Sequence, residues 1–337
     1  MKRLTFELEF ITPAFIGGAN QQAELRPASF VGLLRWWWRA LKGECDIERL
    51  REEEVKIFGG IAKNLRKEEI KMASPVYLRV EGNIRKGSDL TNECRLNTGL
   101  GYLYHFVTFK GKREFIEPGS ILELTLIGKD EVLNHYIASL WALVFLGGVG
   151  ARSRRGGGNL RVVDYKPKDL VEDLKISFTP TGDFCEWFVK NLKEAKHLVG
   201  SSKGSCDKYS NLSNVKLVLS KTEFNTWFEA LNDIGKEFMR FRREKKQSVF
   251  DTAVFGLPVM HSNGKFVEAE RGIKRRSSPV IIKVVKTPED KYKWMVLRLR
   301  GKFLPDGAKL RFMEKTGEPD LRIIGEFFQE LEGGAKK

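Results

Sequence analysis

Histidine and cysteine are scarce in this chain, with four of each in 337 residues. Cys45, Cys94, Cys185 and Cys206 stand far apart, without a C-x-x-C pair and without a histidine at zinc-ligand spacing. Spacing and size therefore argue against a structural zinc site and a disulfide framework. No metal and no cofactor are expected. Long apolar runs are also missing. The most apolar stretch, residues 138–146, is too short to span a bilayer. The opening MKRLTFELEF alternates apolar and polar residues, unlike the continuous apolar core of a signal peptide. A soluble, cytoplasmic protein with reduced thiols and no membrane partner is the expectation. Acid is in deficit too: 44 Asp and Glu face 59 Lys and Arg, for a net charge of +15. Such a balance favours a polyanionic partner, nucleic acid above all. An apolar content of 42% and well-mixed charge exclude a disordered tail.

The length suits about two domains, and the sequence echoes itself. LTFELEFITP (4–13) has a counterpart in LKISFTP (174–180), both read as alternating strands ending in Thr-Pro. IFGG (57–60) and ASPVYLRV (73–80) are answered in order by VFGLP (254–258) and SSPVIIKV (277–284), at an offset of about 200 residues. In the first half, residues 4–11 read as a strand and Pro27 opens a helix carrying Phe30, Leu33, Leu34, Trp37 and Leu41 at helical spacing. Residues 76–80 and 121–127 read as strands. Asp130 is placed to cap a helix over 131–146, and 160–163 form a last strand. This is the βαββαβ, or ferredoxin-like, order. In the second half, 183–196 and 222–243 compete for the first helix. Residues 280–285 and 294–299 read as strands, 323–331 as a closing helix, and 199–212 as a mobile loop. The expected architecture is α+β, with tandem ferredoxin-like domains at 1–168 and 169–337.

Between the first-half helix and its last strand lies GGVGARSRRGGGNLR (147–161), with six glycines, four arginines and no acid. It contains neither a P-loop nor a dinucleotide fingerprint. Those motifs place phosphate at a helix N-terminus; here the negative C-terminal end comes first. Arg152, Arg154 and Arg155 are the candidates to reverse that field. Glycines such as Gly156 and Gly157, beside Ser153, allow close backbone approach, and arginines supply bidentate phosphate donors. The combination reads as a loop moulded on a sugar-phosphate backbone.

ITPAFIGG, RPASFVGLLRWWWRAL, GGVGARSRRGGGNLRV and the later Arg275-Arg276-Ser277-Ser278-Pro279 together resemble the RAMP superfamily of CRISPR systems. They are similar in particular to the large two-domain RAMP subunits of type III-B (Cmr) effectors. The resemblance spans both halves and is densest over 1–165. It implies tandem ferredoxin-like domains and assembly with other Cmr-module RAMP subunits around CRISPR RNA, near its 3′ part, and on target RNA. It also implies a subunit that does not cut RNA. RAMP subunits that cut target RNA are expected to use a loop aspartate. The corresponding loop IGGANQQAELRP (16–27) has only Glu24 as an acid.

In that loop Gly17, Gly18, Asn20 and Arg26 are candidates for backbone or ribose contact. Arg35, Arg39 and Lys42 form one helical stripe. Trp36 sits at its edge, available to stack on a base or to pack. TGLGYLYHFV (98–107) reads as a strand with Tyr102, Tyr104 and Phe106 on one face and His105 on the other. GKEFMRFRREKK (235–246) and RGIKRRSS (271–278) are basic clusters. Lys274, Arg275 and Arg276 of the latter are candidates for an RNA- or subunit-facing edge. Three functions remain open on the sequence. They are a non-catalytic RNA-binding subunit, a metal-independent ribonuclease using His105 or a tyrosine, and an architectural subunit that meets acidic protein partners.

Overall fold

The computed structural model describes residues 1–63, 68–95, 97–108, 113–261 and 264–333. Strand β1 (Lys2–Phe10) buries Leu4, Phe6, Leu8 and Phe10 completely and turns Arg3, Thr5, Glu7 and Glu9 to its other face. That alternation makes a sheet with one open side. There follow α1 (Pro27–Lys42), α2 (Ile47–Phe58), β2 (Gly60–Lys63), β3 (Glu69–Met72), β4 (Tyr77–Glu81), β5 (Lys86–Gly87), α3 (Gly99–Thr108), β6 (Phe115–Ile116), β7 (Ile121–Gly128), α4 (Asp130–Leu146) and β8 (Leu160–Lys166). The main sheet has the order β4-β7-β1-β8 and is antiparallel throughout. With α1 and α4 as its two helices, this is a ferredoxin-like domain with inserted elements. Pro27 opens α1, and Gly43 closes it in the left-handed region. Asp130 is the first residue of α4 and not its cap. Lys129 holds the cap position without a side-chain bond, and the Asp130 carboxylate pairs with Lys2 at 2.7 Å.

The second half contains α5 (Asp169–Glu172), α6 (Phe184–Leu198), β9 (Asn211–Leu219), α7 (Trp227–Glu244), β10 (Val259–Met260), β11 (Phe266–Ala269), β12 (Val280–Lys286), β13 (Tyr292–Arg300), β14 (Leu310–Phe312), β15 (Lys315–Gly317) and α8 (Arg322–Gly333). Strands β12-β13-β9 form an antiparallel sheet with α7 and α8, which repeats the βαββα order. A separate sheet, β10-β11-β14-β15, has its own small core around Val267, Ala269, Phe303 and Leu310. Helix α7 takes the first-helix slot, with Thr226 and Glu229 forming a capping box. Its competitor α6 packs instead on α4, with Trp187 against Trp141 and Phe145.

Two strand expectations are corrected. Residues 174–180 form turns and no strand; Ile176 and Phe178 are buried, Phe178 edge-on to Phe6. The counterpart of β1 is β9, which begins inside the segment 199–212 that reads as a loop in the sequence. Residues 99–108 are the helix α3, not an aromatic strand. Leu100, Leu103, Tyr104 and Val107 are buried, a helical i, i+3, i+4, i+7 set. The side chain of Phe106 lies outside the described residues.

The layers explain why α4 is apolar all round. Ile281, Val285, Met295 and Leu297, on one face of the second sheet, join the core of α1 and α4. Val280, Ile282, Val284 and Val296, on the other face, pack with residues of α7, α8 and α3. Helix α4 thus lies between two sheets, and every residue from Tyr136 to Leu146 is buried. No helix among the described residues is long and apolar enough to cross a membrane.

Candidate nucleic-acid interface

The negative end of α4 is met from the second sheet. Lys283, on the α4-facing side of β12, is fully buried and donates its ammonium to the Val144 and Gly147 carbonyls. Burial pushes its amine down to about 7. The Gly147 carbonyl also accepts from Asn159 Nδ2 at 3.0 Å. The same Asn159 accepts through Oδ1 from the Val284 amide at 2.8 Å. Arg154 and Arg155, candidates for answering the helix end, bond carbonyls elsewhere; a lysine from the other half of the chain meets it.

Freed of that task, the loop acts as a surrogate strand along the open edge of β12. The Ile282 amide donates to the Arg154 carbonyl at 3.2 Å, and Arg155 bridges Ile282 in the parallel sense. Two glycines are required for this path. At Gly158, with φ 61°, a Cβ would stand 1.9 Å from the Val149 carbonyl oxygen. At Gly156, with φ 85°, it would strike Leu231 of α7 at 2.3 Å. The Gly156 carbonyl accepts the buried Tyr104 hydroxyl at 2.9 Å.

Arg154 donates to the Ser278 carbonyl and lies 5.0 Å from the Trp36 ring centroid. Arg155 donates to the carbonyls of Val280 (2.9 Å) and Phe255 (2.7 Å) and covers the Phe238 ring at 4.9 Å. Their partners are carbonyl oxygens, not carboxylates, so their positive charge is not cancelled. Burial, with neighbouring arginines adding to it, lowers Arg154 to about 10 and Arg155 to about 9. Both remain charged near neutral pH. Arg152 has a left-handed backbone, φ 62°, and its carbonyl accepts from Arg155 N and Gly157 N.

These residues form part of the wall of a cleft of about 1070 Å³. Helix α3, Arg113, helix α7, Thr252, the Phe255–Met260 segment, Phe266 and the strand-entry residues Arg275, Ser277 and Ser278 complete it. Its cations are Arg113, Arg152, Arg154, Arg155, Arg242, Arg243, Lys246 and Arg275; no Asp or Glu lies among the described lining residues. Arg243, Lys246 and Arg275 are exposed. Arg242 bonds Tyr102 Oη at 2.6 Å, and its buried Nε has no hydrogen-bond partner. The two basic segments singled out in the sequence therefore meet the Gly/Arg loop in one place. His105 and Ser153 line the cleft as well. His105 of α3 and the basic run of α7 stand out in the sequence; Arg113 and the Phe255–Met260 segment carry no such signal.

The other sequence candidates lie elsewhere. Glu54 of α2 binds Arg39 through both oxygens at 2.8 and 2.9 Å and stands 3.4 Å from Arg35, while Glu53 pairs Lys42 at 2.6 Å. The stripe Arg35, Arg39, Lys42 thus packs on an acidic helix face. Trp36 is half-buried, edge-on to Trp37 and beneath Arg154. Arg26 reaches the Gly17 carbonyl at 3.3 Å and pairs Glu24 at 3.3 Å. Asn20 bonds Gln22 at 2.9 Å, and Gly18 lies in the same tight loop. None of the described residues of that loop lines the cleft. Lys274 is exposed beside the cleft, and Arg276 donates to the Lys302 carbonyl at 2.7 Å.

The open face of the first sheet is of mixed sign, with Glu81 paired to Arg79, Glu9 to Arg161 and Asp164 to Lys166 and Lys168. Glu81, Glu123, Glu7 and Asp164 are successive cross-strand partners, so one row of carboxylates crosses all four strands. Like charges directly opposite each other repel.

The paired βαββα units and the Gly/Arg loop at the end of the first define a tandem RAMP protein, and the family model described as RAMP superfamily matches residues 7–161. The chain is 28% identical over 337 residues to CRISPR system Cmr subunit Cmr1-1 of Pyrococcus furiosus, covering 94% of this chain and 89% of that one. It is 32% identical over 188 residues to subunit Cmr1-2 of the same organism, covering 48% of this chain and 96% of the relative. The crystal structure of Cmr1 from Pyrococcus furiosus, apo form, superposes with a TM-score of 0.67 at 26% identity, covering 91% of this chain and 90% of that one. A chain of the type III-B Cmr-beta complex bound to cognate target RNA shares the fold, with a TM-score of 0.56 at 14% identity over 98% and 99% of the two chains. The chain belongs to the Cmr1 family of the RAMP superfamily.

Proposed function

We propose that this chain is a non-catalytic RNA-binding subunit of a type III-B CRISPR effector. It holds the 3′ part of CRISPR RNA, or the guide–target duplex, by the phosphate backbone, in company with the other Cmr subunits. In this reading residues 1–168 and 169–337 are its two domains, and the RNA lies in the cleft between α3, α7 and the Gly/Arg loop. The observation that carries it is the convergence of eight lysines and arginines in one cleft, with no Asp or Glu among its described lining residues. Phosphate contact is independent of base identity, so recognition is largely sequence-neutral.

The clean probes are exposed cations whose removal leaves the fold intact. The combined variant Arg243→Ala, Lys246→Ala, Arg275→Ala weakens binding to all RNA sequences alike. It flattens the salt dependence by about 0.7 in d log K/d log[salt] for each phosphate of a single strand that is no longer neutralised. An unchanged affinity and salt slope refute the assignment. A second reading, metal-independent RNA cleavage, has one observation in its favour: His105 lines the same cleft. Incubating labelled repeat RNA with the protein in EDTA decides between them. Specific cleavage abolished by His105→Ala would establish an enzyme.

A further inference from the structure

We propose that the hairpin β10–β11 is a stacking platform for an unpaired base, which makes the cleft selective for single-stranded RNA over duplex; this rests on the RNA-binding reading above. Met260 and Phe266 face each other across the hairpin as register partners. They are 48% and 43% exposed, and both line the cationic cleft. The next pair, Val259 and Val267, points the other way, with Val267 fully buried in the small third core. The hairpin is thus anchored on its inner face and presents a ring and a thioether on its outer face, at the rim of the cleft.

Two large exposed apolar side chains opposite each other gain nothing from water, and the cleft that they line carries the exposed cations Arg243, Lys246 and Arg275. The ligand that suits both features is an anionic strand carrying flat apolar rings. Phosphates reach Arg243 and Arg275, and a splayed base lies on Phe266, with the polarisable Met260 sulfur beside it. Every base has a π face, so such a platform does not read sequence. In a duplex the base faces are already covered by their neighbours, and only backbone contact is left. The hairpin therefore adds affinity for unpaired RNA alone.

Fluorescence anisotropy on the full chain tests this with labelled oligouridylate and a blunt RNA duplex of equal length. Phe266→Ala weakens oligouridylate binding roughly 5- to 150-fold, the range of a single base–aromatic stack, with the salt slope unchanged. Duplex affinity does not move, and Phe266→Trp retains single-strand binding. The double variant Arg243→Ala, Arg275→Ala weakens both ligands and lowers the salt slope. If Phe266→Ala affects both RNAs equally, or neither, while the arginine variant behaves as stated, the platform is wrong and the RNA site stands. If the arginine variant also changes nothing, or if the wild type binds neither RNA, the RNA-binding reading fails and the platform fails with it.

Discussion

Lys283→Met removes one buried ammonium while keeping most of the side chain's length. In the native protein that amine sits at the carboxyl end of α4, with burial holding it near 7 instead of its ordinary 10.5. Between these two values the unfolded chain binds more protons than the native one. Stability from this residue therefore rises as pH rises from about 7 to about 10.5, and is flat outside that window. From pH 7 to pH 9 the gain is at most roughly 2 kcal/mol. The Val144 and Gly147 carbonyls and the helix end favour the charged amine and pull the true figure below that ceiling. The variant loses the pH-dependent gain. It also leaves the Val144 carbonyl without its lysine donor, at a cost of about 1–3 kcal/mol near pH 7. Chemical denaturation of both proteins at pH 7 and pH 9 gives the double difference, in which the other titrating groups cancel. Parallel pH dependence in wild type and variant would show that Lys283 does not titrate in this window. An unchanged stability at pH 7 would show that it does not hold the helix end.

Gly158→Ala forces a side chain against the Val149 carbonyl at φ 61° and is expected to destabilise by more than about 2 kcal/mol in the same denaturation assay. Gly32→Ala, in the exposed middle of α1 with nothing within 4 Å of the added carbon, stabilises by about 0.5–1 kcal/mol. Arg155→Ala removes the donors to Val280 and Phe255 and lowers the unfolding midpoint, whereas the exposed Arg275→Ala leaves it unchanged within about 0.5 kcal/mol. Equal midpoints for the two arginine variants would show that the Arg155 contacts do not support the loop.

The frame of the first domain, β1, α1, β4, β7, α4 and β8, was legible because its signals agree with one another. The alternation of Leu4, Phe6, Leu8 and Phe10, the Pro27 helix start and the long apolar α4 each point to the element that forms. The failures came where local preference and tertiary context part. GLGYLYHFVT is rich in residues that favour strands, yet Leu100, Leu103, Tyr104 and Val107 already carried the helical period, and the packing of α3 on α7 selects that period over the alternating one. LKISFTP repeats the Thr-Pro ending of β1 but only turns against α4, while NLSNVKLVL, half polar and lacking a turn signature, becomes the first strand of the second sheet. The site divides in the same way. Which segments carry the charge was readable, since the Gly/Arg loop and two basic runs stand out in the chain. Their convergence was not, because the carbonyls that hold Arg154 and Arg155 come from Ser278, Val280 and Phe255, more than a hundred residues from the loop for most of these bonds. The one residue that resolves the field at the helix end was visible only as an anomaly. Lys283 interrupts the apolar run VIIKVV, and a charge inside a strand buried on both faces needs a partner of its own. A buried charge in such a run is therefore a marker of what packs against that strand: here, the end of a helix from the other half of the chain.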